Sequence, residues 1–186
     1  MMTAAEDVSL PSLTFQLELF PETSGTIALF EDVMNVTDLK AMLINKELDA
    51  VMLSPKMLVS PFQIMVAVNK ALHVHATGHA ITRTVNSEII YSLSPSTNIS
   101  ESFKVFAMGS TDTSVVVIVL HVDDPDQTKL KSIAAKIEGV CVPLAQLSTH
   151  TDEIMIKKKY SISKQELSVG SLEDAVICKM ASSDLS

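Results

Sequence analysis

Val115-Val-Val-Ile-Val-Leu-His-Val122 constrains this chain more than any other stretch. It is an unbroken apolar run, rich in β-branched residues, with no alternation of apolar and polar positions. A strand of that composition cannot leave one face in water, so both of its faces need cover. The rest of the chain therefore has to supply neighbouring strands and a layer of packing on each side. A length of 186 residues is enough for one domain with a real core.

The second organising stretch is Ser60 to Thr77. Ser60 suits an N-cap and Pro61 the first helical position, where its missing N–H costs nothing. Gly78 is placed to end the helix in a left-handed conformation. On a helical wheel Gln63, Ala67, Lys70, Val74 and Thr77 make one narrow polar or small stripe. Phe62, Ile64, Met65, Val66, Val68, Ala71 and Leu72 fill most of the remaining circumference. The pattern predicts a central helix buried from several sides.

Around these two stretches the remaining elements follow in order. Residues 1–12 read as a polar, acidic, disordered leader. Phe15, Leu17 and Leu19 alternate with polar residues in a half-buried strand that Pro21 stops. Gly25 falls in the turn after it, and Thr26–Phe30 returns as an antiparallel partner. Asn35 or Thr37 caps a short helix with Leu39, Met42 and Leu43 inward. Ala50–Leu53 is a short strand closed by Pro55. Beyond the central helix, another helix starts near Thr84 or Ser87. Asn98-Ile-Ser-Glu101 fits a capping box opening a helix with Ile99, Phe103 and Phe106 on one face. Asp124-Pro125 begins a helix with Leu130, Ile133, Ala134 and Ile137 inward, ended by Gly139. Val140–Val142 makes a short strand, and residues 145–160 carry no clear period. Ser171-Leu-Glu-Asp174 is a second capping box, with acids where the helix dipole favours them. The sum is an α+β fold: a small antiparallel or mixed sheet packed with about six helices, in a single domain over 13–186.

Chemistry is sparse. The five glycines form no phosphate loop, and no cysteine pair has zinc spacing. His75 and His79 are four apart, but Gly78 interrupts their helix and no third ligand stands near, so no metal is assigned. Cys141 and His150 lack a third partner that would make them nucleophile and base. Lys157-Lys-Lys159 reads as a solvated face. The residues alone therefore indicate no catalytic site and no cofactor. Hydrophobic residues make up 47% of the chain although only 4% are aromatic, and ten are Met. Such a surplus points to apolar surface kept for a partner. The net charge of −8 argues against an autonomous nucleic-acid binder. The block 60–109 is nearly neutral, with Lys70, Arg83 and Lys104 against Glu88 and Glu101. It also carries His73, His75 and His79, which makes it the place for an anion if one binds.

Several segments together carry a family resemblance. They are Gln16-Leu-Glu-Leu-Phe-Pro-Glu22, Ser60–Ala71, Thr82-Arg-Thr84, Ser87–Pro95, Asn98-Ile-Ser-Glu101 and Gly170–Cys178. In order and spacing the chain resembles the PRPK kinase-binding subunits of the EKC/KEOPS complex. The likeness runs from about Phe15 to the C-terminus and is weaker between Asp123 and Lys159. Cys141 and Cys178, in apolar surroundings with no secretory signal before them, read as reduced thiols of a protein of the cytosol and nucleus. The central helix, interrupted by Asn69, Lys70 and three His, is too short to span a membrane. The resemblance implies a non-catalytic subunit. Its partners would be the PRPK kinase, bound through the N-terminal lobe, and the other KEOPS subunits. That complex places a threonylcarbamoyl group on the adenosine beside the anticodon of tRNA, through a different subunit. Archaeal relatives also hold the 3′ CCA end of tRNA, which gives the alternative of a direct tRNA-binding module.

Site expectations follow from combining the two readings. The closing helix shows a broader apolar arc than docking on its own core requires. Its Leu172, Ala175, Val176, Ile177 and Met180 are therefore the candidates for binding the kinase. Lys70, His73 and Arg83 are the candidates for tRNA.

Overall fold

The computed structural model describes residues 10–122 and 128–182. Its centre is an antiparallel sheet of β1 (Ser12–Leu17), β2 (Phe20–Glu31), β3 (Val51–Leu53), β4 (Val115–Val122) and β5 (Val140–Val142). The order is β1-β2-β4-β3, and β5 pairs with the far end of β2, in line with β1. The apolar run thus forms β4, flanked on both sides by hydrogen-bonded strands, as its composition demands.

Strand periodicity divides the core in two. Ile27 and Leu29 of β2, with Val116 and Ile118 of β4, face one side. Ala28 and Phe30, with Val115, Val117 and Val119, face the other. The first side is covered by α2 (Pro61–Ala76), α3 (Val85–Leu93), α4 (Ile99–Phe106), α6 (Leu147–His150), α7 (Glu153–Lys159) and α9 (Leu172–Ser182). The second side is covered by α1 (Val36–Ile44) and α5 (Thr128–Ala134). A short α8 (Glu166–Val169) precedes α9. The helices exceed the expected six because 145–169 breaks into several short ones.

Local capping chemistry largely reads through. Ser60 accepts from the Gln63 N–H, Thr84 from Ser87 and Asn98 from Glu101. Gly78 takes φ +74, the left-handed value expected after α2.

Five details differ from the sequence reading. First, the hairpin turn falls at Glu18-Leu19, so Pro21 and Gly25 lie inside β2 and Leu19 is 67% exposed. Gly25 is required there because the Phe15 ring covers its Cα, where any Cβ would collide. Second, Ser12 belongs to β1, and the Pro11 carbonyl accepts from the Cys141 thiol at 3.5 Å, so the leader does not extend to residue 12. Third, Asn35 binds the Lys136 carbonyl and the Glu138 N–H instead of capping α1 with its side chain. Fourth, Ile99, read as inward, is 41% exposed at the first turn of α4. Fifth, Gly139 does not end α5 but packs on β2, where a Cβ would stand 2.8 Å from the Glu31 carbonyl. The expected helix start at Asp124-Pro125 lies outside the described residues.

Candidate functional site

The closing helix α9 is built from both ends. The Asp174 N–H donates to the Ser171 hydroxyl oxygen at 3.1 Å, and the Ser171 N–H donates back to the Asp174 carboxylate at 2.9 Å. This is the reciprocal box its sequence encodes. The Ser171 hydroxyl and N–H hold the Asp174 carboxyl below the ordinary range. One flank of α9 meets α8 through a 3.0 Å pair between Lys179 and Glu166. The Ser163 N–H, then Lys179, pull the Glu166 carboxyl down to about 2.

The other flank meets α2. Ser60 hydrogen-bonds to Glu173, and the Lys70 ammonium donates to the Met180 carbonyl at 3.3 Å. Residue numbers rise together across these contacts, so the two helices run parallel. Phe62, Val66 and Lys70 are spaced by four and share one ladder on α2. Ile177 lies four residues after Glu173 and three before Met180, on the α9 flank that faces this ladder. Between these two contacts lie Phe62 and Val66 on α2 and Ile177 on α9, and this stretch is the α2–α9 seam. Phe62 is 53% exposed, while Val66 and Ile177 are half-buried.

Of the five residues expected to bind the kinase, Ala175, Val176 and Met180 are buried within this chain's own core. Side chains already enclosed cannot also present a surface, so only Leu172 and Ile177, both half-buried, remain at the margin. The broad arc on α9 is needed because the helix packs between α2 and α8. Phe62, by contrast, counts as core on the helical wheel but faces outward. The buried face of α2 is Gln63, Ile64, Ala67, Val68 and Ala71, so Gln63 and Ala67, the first two members of the small and polar stripe, point inward. Gln63 is accommodated there because its amide donates to the Tyr160 hydroxyl at 3.1 Å and its oxygen accepts the Val59 N–H at 2.8 Å.

The family model for the kinase binding protein CGI-121 matches residues 30–184. The chain belongs to the CGI-121 family. The matched span contains the whole of α2 and α9. An EKC/KEOPS complex subunit TPRKB from Danio rerio is 43% identical over 173 residues, covering 93% of this chain and 98% of that protein. The EKC/KEOPS complex subunit cgi121 of Aspergillus fumigatus is 34% identical, with 90% of each chain covered. The CGI121 subunit of Candida glabrata is 30% identical over 88% of this chain and 93% of its own.

The three tRNA candidates do not form one cluster in this CGI-121 member. Lys70 is directed at the end of α9, as above. His73 is exposed on the last turn of α2, and Arg83 is exposed on the loop 77–84 that leads to α3. That loop is anchored by the buried Glu88 carboxylate, which accepts from both the N–H and the hydroxyl of Thr82 at 2.6 Å. His75 is half-buried on α2, whereas His79 lies past Gly78, so the two do not share a helix face. Among the described residues, no group of three or more His, Cys, Asp or Glu is placed to hold a metal ion. Cys141 and His150 have separate partners. Burial pushes the Cys141 thiol up, and His150 lies 2.7 Å from Glu31. Within the triple lysine, Lys157 pairs with Glu153 and Lys159 with Glu101, while Lys158 is exposed.

Proposed function

We propose that this chain is a non-catalytic adaptor of the EKC/KEOPS complex that docks the N-terminal lobe of the PRPK kinase on the α2–α9 seam. Through the kinase it takes part in threonylcarbamoyl modification of the adenosine beside the tRNA anticodon. Membership of a family described as kinase-binding supports the kinase, and relatives named as EKC/KEOPS subunits support the complex. The observation that carries the location is Phe62. A large aromatic side chain 53% exposed, on the stretch of α2 that lies alongside α9, is the kind of anchor that interfaces bury at their centre. A rim of Glu173 and Lys70 flanks it.

The test is kinase affinity measured on two variants. Phe62→Ser removes the anchor without opening the core, and Ile177→Glu places an unpaired charge at the seam. Each should weaken binding by about tenfold or more, the loss typical of an interface hot spot. Wild-type affinity in both, with folding intact, would move the kinase elsewhere.

Direct tRNA contact is the second reading, favoured by the exposure of His73 and Arg83 at the shared end of α2 and α3. An acidic protein should hold tRNA weakly alone, and phosphate contacts made through its cations should weaken further as salt rises.

A further inference from the structure

We infer that Lys70 and Ser60 are positioning residues that clamp α9 onto α2 at two points and thereby set the geometry of the seam. The inference rests on the docking reading above and adds how the surface is held.

Ala175, Val176 and Met180 bury the inner face of α9. Apolar burial is non-directional, so it fixes how deep a helix sits better than where it sits along its neighbour. Directional contacts must supply that second coordinate. Among the described residues two such contacts are seen, and they lie far apart. Ser60 and Lys70 are separated by about 15 Å along α2, and Glu173 and Met180 by about 10 Å along α9, at 1.5 Å per residue.

Each contact also matches the polarity of the helix end it meets. Carbonyls of a last turn carry the negative end of the helix dipole, and Lys70 brings an ammonium to the Met180 carbonyl. Glu173 lies in the first turn of α9, where negative charge is favoured, and is hydrogen-bonded to Ser60. The Ser60 hydroxyl simultaneously accepts the Gln63 N–H at 3.3 Å, so the N-cap of α2 and the start of α9 are fixed by one oxygen. Lys70, a cation that its sequence offers to RNA phosphate, is thus directed at a helix end. Ile177 lies between the two clamp points, so its position relative to Phe62 depends on both.

The experiment pairs amide hydrogen exchange with affinity for purified PRPK kinase, on the full chain and on Lys70→Met, Lys70→Arg and Ser60→Ala. In Lys70→Met, exchange across 172–182 should accelerate about tenfold while 115–122 keeps its protection, the factor expected for one charge-assisted hydrogen bond. Kinase affinity should fall about five- to tenfold, and Lys70→Arg should restore both. Ser60→Ala should loosen 172–182 in the same direction. Unchanged exchange in Lys70→Met and Ser60→Ala overturns the inference, whatever happens to affinity. Loosened α9 with wild-type affinity also overturns it, while loss of binding in Ile177→Glu would leave the docking reading standing. If Ile177→Glu and Phe62→Ser bind as well as wild type, the docking reading itself fails.

Discussion

The two faces of the sheet are covered in different ways. Behind Ala28, Phe30, Met52, Val115, Val117 and Val119 lie α1 and α5, attached through Val36, Leu39, Leu130 and Ile133. That contact is mainly apolar, with Lys129 of α5 donating to the Leu120 carbonyl of β4 at 3.0 Å, and on the strands Thr26 meets Thr14 at 3.1 Å and His121 at 3.0 Å. The opposite face carries most of the helices, and a polar hub runs between them. Gln63 reaches Tyr160, whose hydroxyl donates to the Leu93 carbonyl while its ring meets Phe106 edge-on at 6.2 Å. Four helices are thereby referred to one point. Two helices on a sheet are held mainly by a greasy interface. Several helices packed on one another need contacts with direction, and the α2–α9 seam proposed for docking is held by the same kind of contact.

The contrast can be broken most sharply at Tyr160. Tyr160→Phe removes one oxygen and leaves a buried carbonyl and amide without it, so it should cost about 1–3 kcal/mol of unfolding free energy. Met52→Leu on the opposite face changes the whole side chain yet conserves volume, and should cost less than about 1.5 kcal/mol. Denaturant unfolding of the pair checks the order, and the comparison fails if Met52→Leu is the more damaging.

A smaller effect lies at the rim, where Asp112 accepts from Lys56 at 2.8 Å and from the Gly109 N–H at 2.7 Å. Burial opposes ionisation of this carboxyl. The Lys56 and Gly109 contacts, with Ser54, outweigh it and hold the group below its ordinary value of 3.8. A depressed folded value means that ionised Asp112 stabilises the fold above the unfolded value. That contribution is lost as pH falls through the folded one. Asp112→Asn should therefore cost about 1 kcal/mol near neutrality and flatten the loss of stability on acidification. Urea unfolding across the acid range measures the slope, and a slope equal to wild type would remove Asp112 from the account.

What the sequence revealed depended on how local the cause was. β4 was legible because a β-branched run has one solution, and the caps at Ser60, Thr84, Asn98 and Ser171 because each acts within three residues. The turn before β2 was misplaced because Pro21 and Gly25 look like punctuation. The register shift at Gln16/Leu17 accommodates the former, and the Phe15 ring calls for the latter. The inward face of α2 was hidden because Gln63 is satisfied by Tyr160, 97 residues away. For the same reason Phe62 reads as core, whereas Val176 and Met180 read as surface because the packing of α9 between α2 and α8 is not visible in its own period. α7 spans only seven residues, too few for a period to show.

The central claim is that an apolar seam, not a charged patch, docks the kinase. Size-exclusion chromatography with light scattering, on this chain mixed with purified PRPK kinase, tests it most directly when repeated at high ionic strength. The account predicts a one-to-one complex that persists in high salt, because burial of apolar surface is barely screened. A complex that dissolves as salt rises, or none at all beside a chain that shifts labelled tRNA alone, would contradict it.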